Sequence, residues 1–356
     1  MARRTVKRPF ITVVVVAHNA EHHIVRTLES VLDQGFDDVQ LVVADCASDD
    51  GTASICQRAA ERDIRLDVIE LEDSDAPAAF DRALEEARAP YILPLGQNDW
   101  LAPHALSSLY DALHDGSWQL ALLSLSVDQD FDTGERSSHL LSFEVSPART
   151  EDEVHDQAAL FIADGLLTSV RGKVLDRDRA EQLGLRMSLC GDEAAYLASY
   201  FEDVSRACVV NEAVCHVAQR NPIEDFDMEL YRQCERNHAR FLQLLASWHR
   251  EQDDALVTAV HRLHLRELIT CIEGVCALKG ISTIERNALV RDMIDASSTR
   301  GSVAVLGDAS RELGFMYGPI ARGSVMACCL SARFASLARV SHLPFAMRMG
   351  VSLSYA

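Results

Sequence analysis

No stretch of about 18 consecutive apolar residues occurs in this 356-residue sequence, so no transmembrane helix is predicted. The start, Met1-Ala2-Arg3-Arg4-Thr5-Val6-Lys7-Arg8, is basic but lacks the apolar region and small-residue cleavage site of a secretory signal. It reads as a solvated lead-in to the first strand, and contact with anionic lipid is the weaker alternative. The ten cysteines show no metal-ligand spacing, and Cys328 and Cys329 are adjacent. Reduced thiols in a cytoplasmic protein are therefore expected, rather than a disulfide framework or a zinc site. Basic residues are few: 34 against 54 acidic ones, a formal charge of -20 that argues against general nucleic-acid binding. A nucleotide at a local site stays open. No internal repeat or low-complexity tract is found.

What the sequence does contain is three apolar runs, each ending in a polar turn. Ile11-Thr12-Val13-Val14-Val15-Val16 breaks into Ala17-His18-Asn19-Ala20-Glu21. Val39-Gln40-Leu41-Val42-Val43-Ala44 breaks into Asp45-Cys46-Ala47-Ser48-Asp49-Asp50-Gly51-Thr52. Tyr91-Ile92-Leu93-Pro94-Leu95 breaks into Gly96-Gln97-Asn98-Asp99-Trp100. Such runs predict strands buried on both faces, and helical spacing between them, as in Ile24, Leu28, Val31 and Leu32, predicts a parallel α/β sheet. A second helix is expected from 48–51, capped by Ser or Asp, and a short strand at 66–71. Open α/β sheets bind ligands just past the carboxyl ends of their strands, so the site is expected at the three breaks.

In order and spacing, over about a quarter of the chain, these breaks resemble the family 2 glycosyltransferases of the GT-A fold. The family's Pro-x-Tyr-Asn-x-Glu-like turn is matched loosely by Val16-Ala17-His18-Asn19-Ala20-Glu21, and its Ser-Val-Leu-x-Gln by Ser30-Val31-Leu32-Asp33-Gln34. Asp-Asp-Gly-Ser-x-Asp-Gly-Thr corresponds to 45–52. Ala89-Pro90-Tyr91-Ile92-Leu93 and Asp99-Trp100-Leu101-Ala102-Pro103 resemble the approach to, and exit from, the acidic metal motif. The resemblance implies a GT-A-like, mostly parallel sheet flanked by helices and a nucleotide-diphosphate-sugar donor, with a UDP-sugar favoured. It implies that Asp45 contacts uracil; on the residues alone, Asp45 also reads as a turn aspartate bonded to nearby backbone. Asn19 and Glu21 are further donor-side candidates, and they read equally as a turn residue and a helix-start acid.

Two motifs depart from the family. Where relatives carry Arg-Asn-x-Gly near the donor, Phe80, Asp81 and Ala83 replace the informative positions, leaving Arg82 as a phosphate contact or a surface arginine. The Asp-x-Asp motif is replaced by Gly96, Gln97 and Asn98, followed by Asp99. Its usual role is to hold a divalent cation, Mn²⁺ or Mg²⁺, that neutralises the diphosphate leaving group. Asn98 offers one neutral oxygen and Asp99 one carboxylate, so either a weakened metal site at Asp99 or a turn aspartate is expected.

Further on, Leu106, Leu109, Tyr110 and Leu113 predict a helix and 118–127 a buried strand. Residues 128–147 read as a loop or hairpin, and 151–167 as a helix. Ser169-Val170-Arg171-Gly172-Lys173-Val174-Leu175 then leads toward Gly191-Asp192-Glu193-Ala194-Ala195-Tyr196. The family's base is the second acid of a Glu-Asp pair opening a helix with an aromatic three residues later. Here the order is reversed, which makes Glu193 the candidate base with Asp192 beside it. Two acids at a helix amino terminus are the structural alternative. Two short edge strands are expected at 208–211 and 213–218, with His216 and Arg220 where relatives place donor-phosphate contacts.

The resemblance to the catalytic domain ends near 220. Asn221-Pro222-Ile223-Glu224 and Ser282-Thr283-Ile284-Glu285 are helix starts, and 226–248, 255–278 and 285–294 have helical spacing. The expected organisation is a GT-A-like domain over 1–220, a helical packing or oligomerisation appendage over 221–312, and a tail over 313–356. The tail has no Asp or Glu but keeps Arg322, Arg333, Arg339 and Arg348. A basic, apolar segment of this kind lies on an anionic membrane's inner face or docks on an acidic protein face. The functional expectation is an inverting transferase acting on a hydroxyl of a cell-surface glycan or lipid-linked precursor. The alternative is a binding or scaffold subunit that has lost turnover.

Overall fold

The first strand forms where β-branched residues run unbroken. In the computed structural model, which describes residues 8–114, 116–130, 136–218, 223 and 226–340, β1 is Ile11–Ala17, followed by α1 (Ile24–Leu32), β2 (Val39–Cys46), α2 (Thr52–Ala60), β3 (Leu66–Leu71) and α3 (Ala76–Glu86). Next come β4 (Tyr91–Gly96), β5 (Trp100–Leu101), α4 (Ala105–Leu113), β6 (Leu120–Asp130), β7 (Arg136–Leu141) and α5 (Glu151–Ala163). β8 (Lys173–Asp176), α6 (Arg177–Gln182), α7 (Met187–Cys190), α8 (Glu193–Phe201) and β9 (Ala207–Ala218) complete the sheet-bearing part. The strands make one sheet in the order β3-β2-β1-β4-β8-β6-β9-β5, with β7 beside β6. Pairing is parallel from β3 through β2 and β1 to β4, and between β6 and β9; the remaining neighbours are antiparallel.

Register positions the site. Val16 lies level with Ala44 on one side and Gly96 on the other, so the three polar turns leave the sheet side by side. α1 turns Ile24, Thr27, Leu28 and Val31 inward, the spacing of one helical face. The two edge strands expected at 208–211 and 213–218 are instead one internal strand, β9, lying between β6 and β5. Its register against β6 shifts between Leu123 and Ser124. The Asn211 side chain bridges the irregularity: its Oδ1 accepts from Ser124 Oγ, and its amide exchanges two bonds with the backbone of Phe143. That break in alternation is what made one strand read as two.

Chain contacts group Met1–Val154 with Val170–Gln219, and His155–Ser169 with Arg220–Ala356. In the second unit the helices are α9 (Met228–Ser247), α10 (Asp254–Ala277), α11 (Thr283–Asp295), α12 (Ser297–Leu306), α13 (Tyr317–Ala321) and α14 (Val325–Val340). The helix start expected at Asn221–Glu224 lies outside the described residues except for Ile223; α9 is capped by Asp227, which accepts from Glu229 and Leu230 N–H. The capping box at Ser282 and Glu285 is formed. Leu313, Met316, Ile320, Val325, Cys328 and Ala332 join the same apolar core as Leu268, Ile272 and Met293, so the described part of the acid-free tail packs on its own unit. Met326, Leu330 and Phe334 point outward from α14.

A buried polar chain crosses α9, α10 and α12. His264 Nε2 is 3.1 Å from Glu235 Oε1 and its Nδ1 is 2.8 Å from Ser302 Oγ, which is also 2.8 Å from His261 Nδ1. His238 Nε2 is 3.1 Å from His261 Nδ1, and its ring stacks on His264. The ligand atoms of Cys234, Glu235 and His264 lie within 4.8 Å of one another. Burial, helped by the two neighbouring imidazoles, pushes His238 down from 6.5 to about 3. Between these values the unfolded chain binds a proton that the native chain refuses, so this contribution to stability falls as pH falls. Thermal melts should therefore show a lower Tm at about pH 5 than at about pH 7.5. His238→Asn should flatten that dependence; an unchanged slope would mean His238 does not set it.

Candidate active site

The turns after β1 and β2 are laced together. Asn19 N–H donates to Ser48 Oγ, Asp49 N–H to Asn19 Oδ1, Ala20 N–H to Thr52 Oγ1, Glu21 N–H to Asp50 Oδ2, and Gly51 N–H to Glu21 Oε2. These bonds tie the two turns together, and Glu21 meets the amide of Gly51, the cap residue of α2, which has no side chain to cap the helix itself. Asn19 and Ala47 take left-handed backbone at φ 50° each, which tightens both turns. Asp45 is buried and holds its own turn, accepting from Ser48 Oγ at 2.6 Å and from Ser48 N–H at 3.3 Å. The turn after β4 joins in through Gln97, whose Oε1 accepts from His18 N–H at 2.7 Å. Arg26 donates to the Asn98 carbonyl and lies 3.6 Å over the Trp100 ring, on which His216 stacks at 4.7 Å. His216 Nδ1 sits 2.8 Å from Asp128 Oδ2.

Asp99 is the buried centre of the site. Its Oδ2 accepts from Gly96 N–H and its Oδ1 from Ala218 N–H, each at 3.0 Å, and Arg171 Nε is 3.5 Å from Oδ2. It does not cap α4, which starts at Ala105 without a side-chain cap. Burial pushes the Asp99 carboxyl up, and Arg171 is the chief opposing influence. Arg171 sits on a turn held from both sides: Glu193 Oε2 accepts from Val170 N–H at 2.9 Å, and Lys173 Nζ donates to the Arg171 carbonyl at 3.0 Å. Gly172 is required there, because φ is +64° and an added Cβ would come within 2.2 Å of Leu125. Lys173 is buried, which pushes its amine down to about 7 against the pull of Glu193.

The structure brings Asn19, Glu21, Asp45, Asn98 and Asp99 to neighbouring strand exits, with His216 across β5 and Glu193 facing the Arg171 turn. Asp192 caps α8, accepting from Ala195 N–H. Arg82 pairs with Glu85 on an exposed face of α3. Arg220 lies outside the described residues. Sequence reading missed Arg26, Gln97, Arg171, Lys173 and Asp81. For Lys173 a signal existed, a lysine inside a short apolar strand, but the partners of the others are remote in sequence.

The model of glycosyl transferase family 2 matches residues 12–175. Residues 12–175 belong to that family. The chain is similar to a glycosyltransferase of Streptococcus pneumoniae, GlyA, at 22% identity over 51% of this chain and 27% of that protein. It is also similar to a putative teichuronic acid biosynthesis glycosyltransferase of Bacillus subtilis, TuaG, at 36% over 26% of this chain and 37% of that one. The chain thus spans well under half the length of these relatives. The fold is the GT-A fold: S. aureus TarS 1-349, solved with UDP, superimposes with a TM-score of 0.61 at 15% identity, covering 92% of this chain and 91% of that one.

A divalent cation held in the usual family 2 manner does not fit these residues. Position 96 has no side chain, and a Cβ there would meet Asp99 Oδ2 at 2.5 Å and Arg171 Cζ at 3.2 Å. Asp99 already receives two amides and a guanidinium. Asn98 Oδ1 is buried without a hydrogen-bond partner among the described residues, but one neutral oxygen does not make a hard-cation site.

In the family 2 segment, Asp81 and Arg82 are neighbours with opposite duties. Buried Asp81 accepts from Met187 N–H, Ser188 N–H and Ser188 Oγ, fixing the turn that leads to Glu193. Asp81→Ala should therefore cost about 3 kcal/mol in urea unfolding. Arg82→Ala should change stability by less than about 0.5 kcal/mol.

Proposed function

We propose that this protein transfers a sugar from a nucleotide-diphosphate donor to a hydroxyl of a cell-surface glycan or lipid-linked precursor, with inversion at the anomeric carbon. The observation that carries the reading is Glu193, a carboxylate at the head of α8 steered by the Val170 amide toward the turn that also bears Arg171. In this reading the acceptor oxygen attacks the anomeric carbon as its proton passes to Glu193. The bond from that carbon to the diphosphate oxygen breaks, and the nucleoside diphosphate leaves with the electron pair. Asp45, already oriented by Ser48, accepts an N–H of the base. Asn19 and Glu21 keep the two donor-side turns at a fixed spacing.

A UDP-sugar is favoured because the TarS structure was solved with UDP, and a surface-glycan acceptor because TuaG is named for teichuronic acid biosynthesis. A place at the inner face of a membrane is supported by the outward row Met326, Leu330 and Phe334, with Arg333 also exposed. Glu193→Gln should lower kcat by about 100- to 10,000-fold while UDP-sugar affinity stays within about twofold. Unaltered turnover in that variant would remove Glu193 as the base. Donor binding without turnover in the parent, across a panel of glycan and lipid-linked acceptors, would favour a scaffold.

A further inference from the structure

A transferase of nucleotide-activated sugars must offset the charge that gathers on the departing diphosphate. Position 96 brings no side chain to this task, Asn98 is neutral, and Asp99 has its two oxygens on the amides of Gly96 and Ala218. A fixed cation is nevertheless present. Arg171 Nε lies 3.5 Å from Asp99 Oδ2, and the guanidinium carbon is 3.2 Å from where a Cβ at position 96 would stand. The guanidinium therefore occupies the space into which an acidic side chain at 96 would extend.

We propose that Arg171 takes over the work of the divalent cation, so that the donor's diphosphate is bound and neutralised by a guanidinium without metal. The inference rests on the donor-binding reading above. Its support is how the group is held. Asp99 is buried and tied to backbone at both oxygens, so it fixes the Nε edge and with it the guanidinium plane. Lys173 holds the carbonyl of the same residue, Glu193 holds the amide of the residue before it, and Gly172 supplies the turn. A planar fork meets a phosphate by two parallel hydrogen bonds, which an ammonium does not reproduce. The arrangement also joins leaving-group stabilisation to the base, because residues 170 and 171 are consecutive.

The test is calorimetry on the full chain with UDP, GDP and uridine, in EDTA and then in Mn²⁺ or Mg²⁺. The expected result is UDP or GDP affinity in EDTA within about twofold of that with metal. Arg171→Ala should weaken the diphosphate by more than about tenfold, and Arg171→Lys should recover only part of it. Uridine binding should be unchanged in both, which also shows that the variants are folded. If Arg171→Ala does not fold, Arg171→Lys and the metal series decide. Diphosphate binding that requires metal, or that is indifferent to Arg171, overturns this proposal and leaves the transferase reading standing. Failure of both nucleotides to bind the parent under every metal condition sinks that reading as well.

Discussion

A carboxylate shut away from water must be satisfied by the protein around it, and that requirement at Asp99 organises the site. Its two oxygens tie the end of β4 to the end of β9, strands separated in the sheet by β8 and β6. Its ion pair reaches a third segment, the turn before β8. Three pieces of chain remote in sequence thus meet on one side chain. Burial that opposes ionisation is offset by a guanidinium that is itself set in place by the exchange.

The donor-side turns follow the same economy. Exposed amides at the start of α2 are met by Glu21 and Asp50 rather than by a cap residue. The side chains that look like nucleotide contacts are therefore also what keeps the turns folded. Asp45 illustrates the double duty: the Ser48 bonds that stabilise its turn also point its carboxylate. A ligand meeting such a group finds it already immobilised, which lowers the ordering cost of binding.

What was legible in the sequence follows from these distances. β1, β2 and β4 were plain because both faces are buried and their runs are unbroken, and the parallel register then put Asn19, Asp45 and Asp99 at neighbouring exits. β9 was split in the reading because the Asn211 irregularity interrupts alternation, and its internal place depends on pairing with β6 some 87 residues earlier. Arg171 was passed over because nothing near it in sequence shows that Asp99, 72 positions away, is its counterion. The altered acidic motif was visible as a loss; the cation that stands beside it was visible only in three dimensions.

The path of the chain between α5 and β8 has a genetic consequence. Residues 155–169 group with the helical unit, although strands of the sheet come before and after them in sequence. His155 stacks on Trp248, nearly a hundred residues later, and the chain re-enters the sheet-bearing part at Val170, whose amide anchors Glu193. A gene cut after β9 would encode every strand and still leave this excursion without its partners. The two units are therefore expected to be inherited as a pair, and recombination that shuffles one without the other should be selected against.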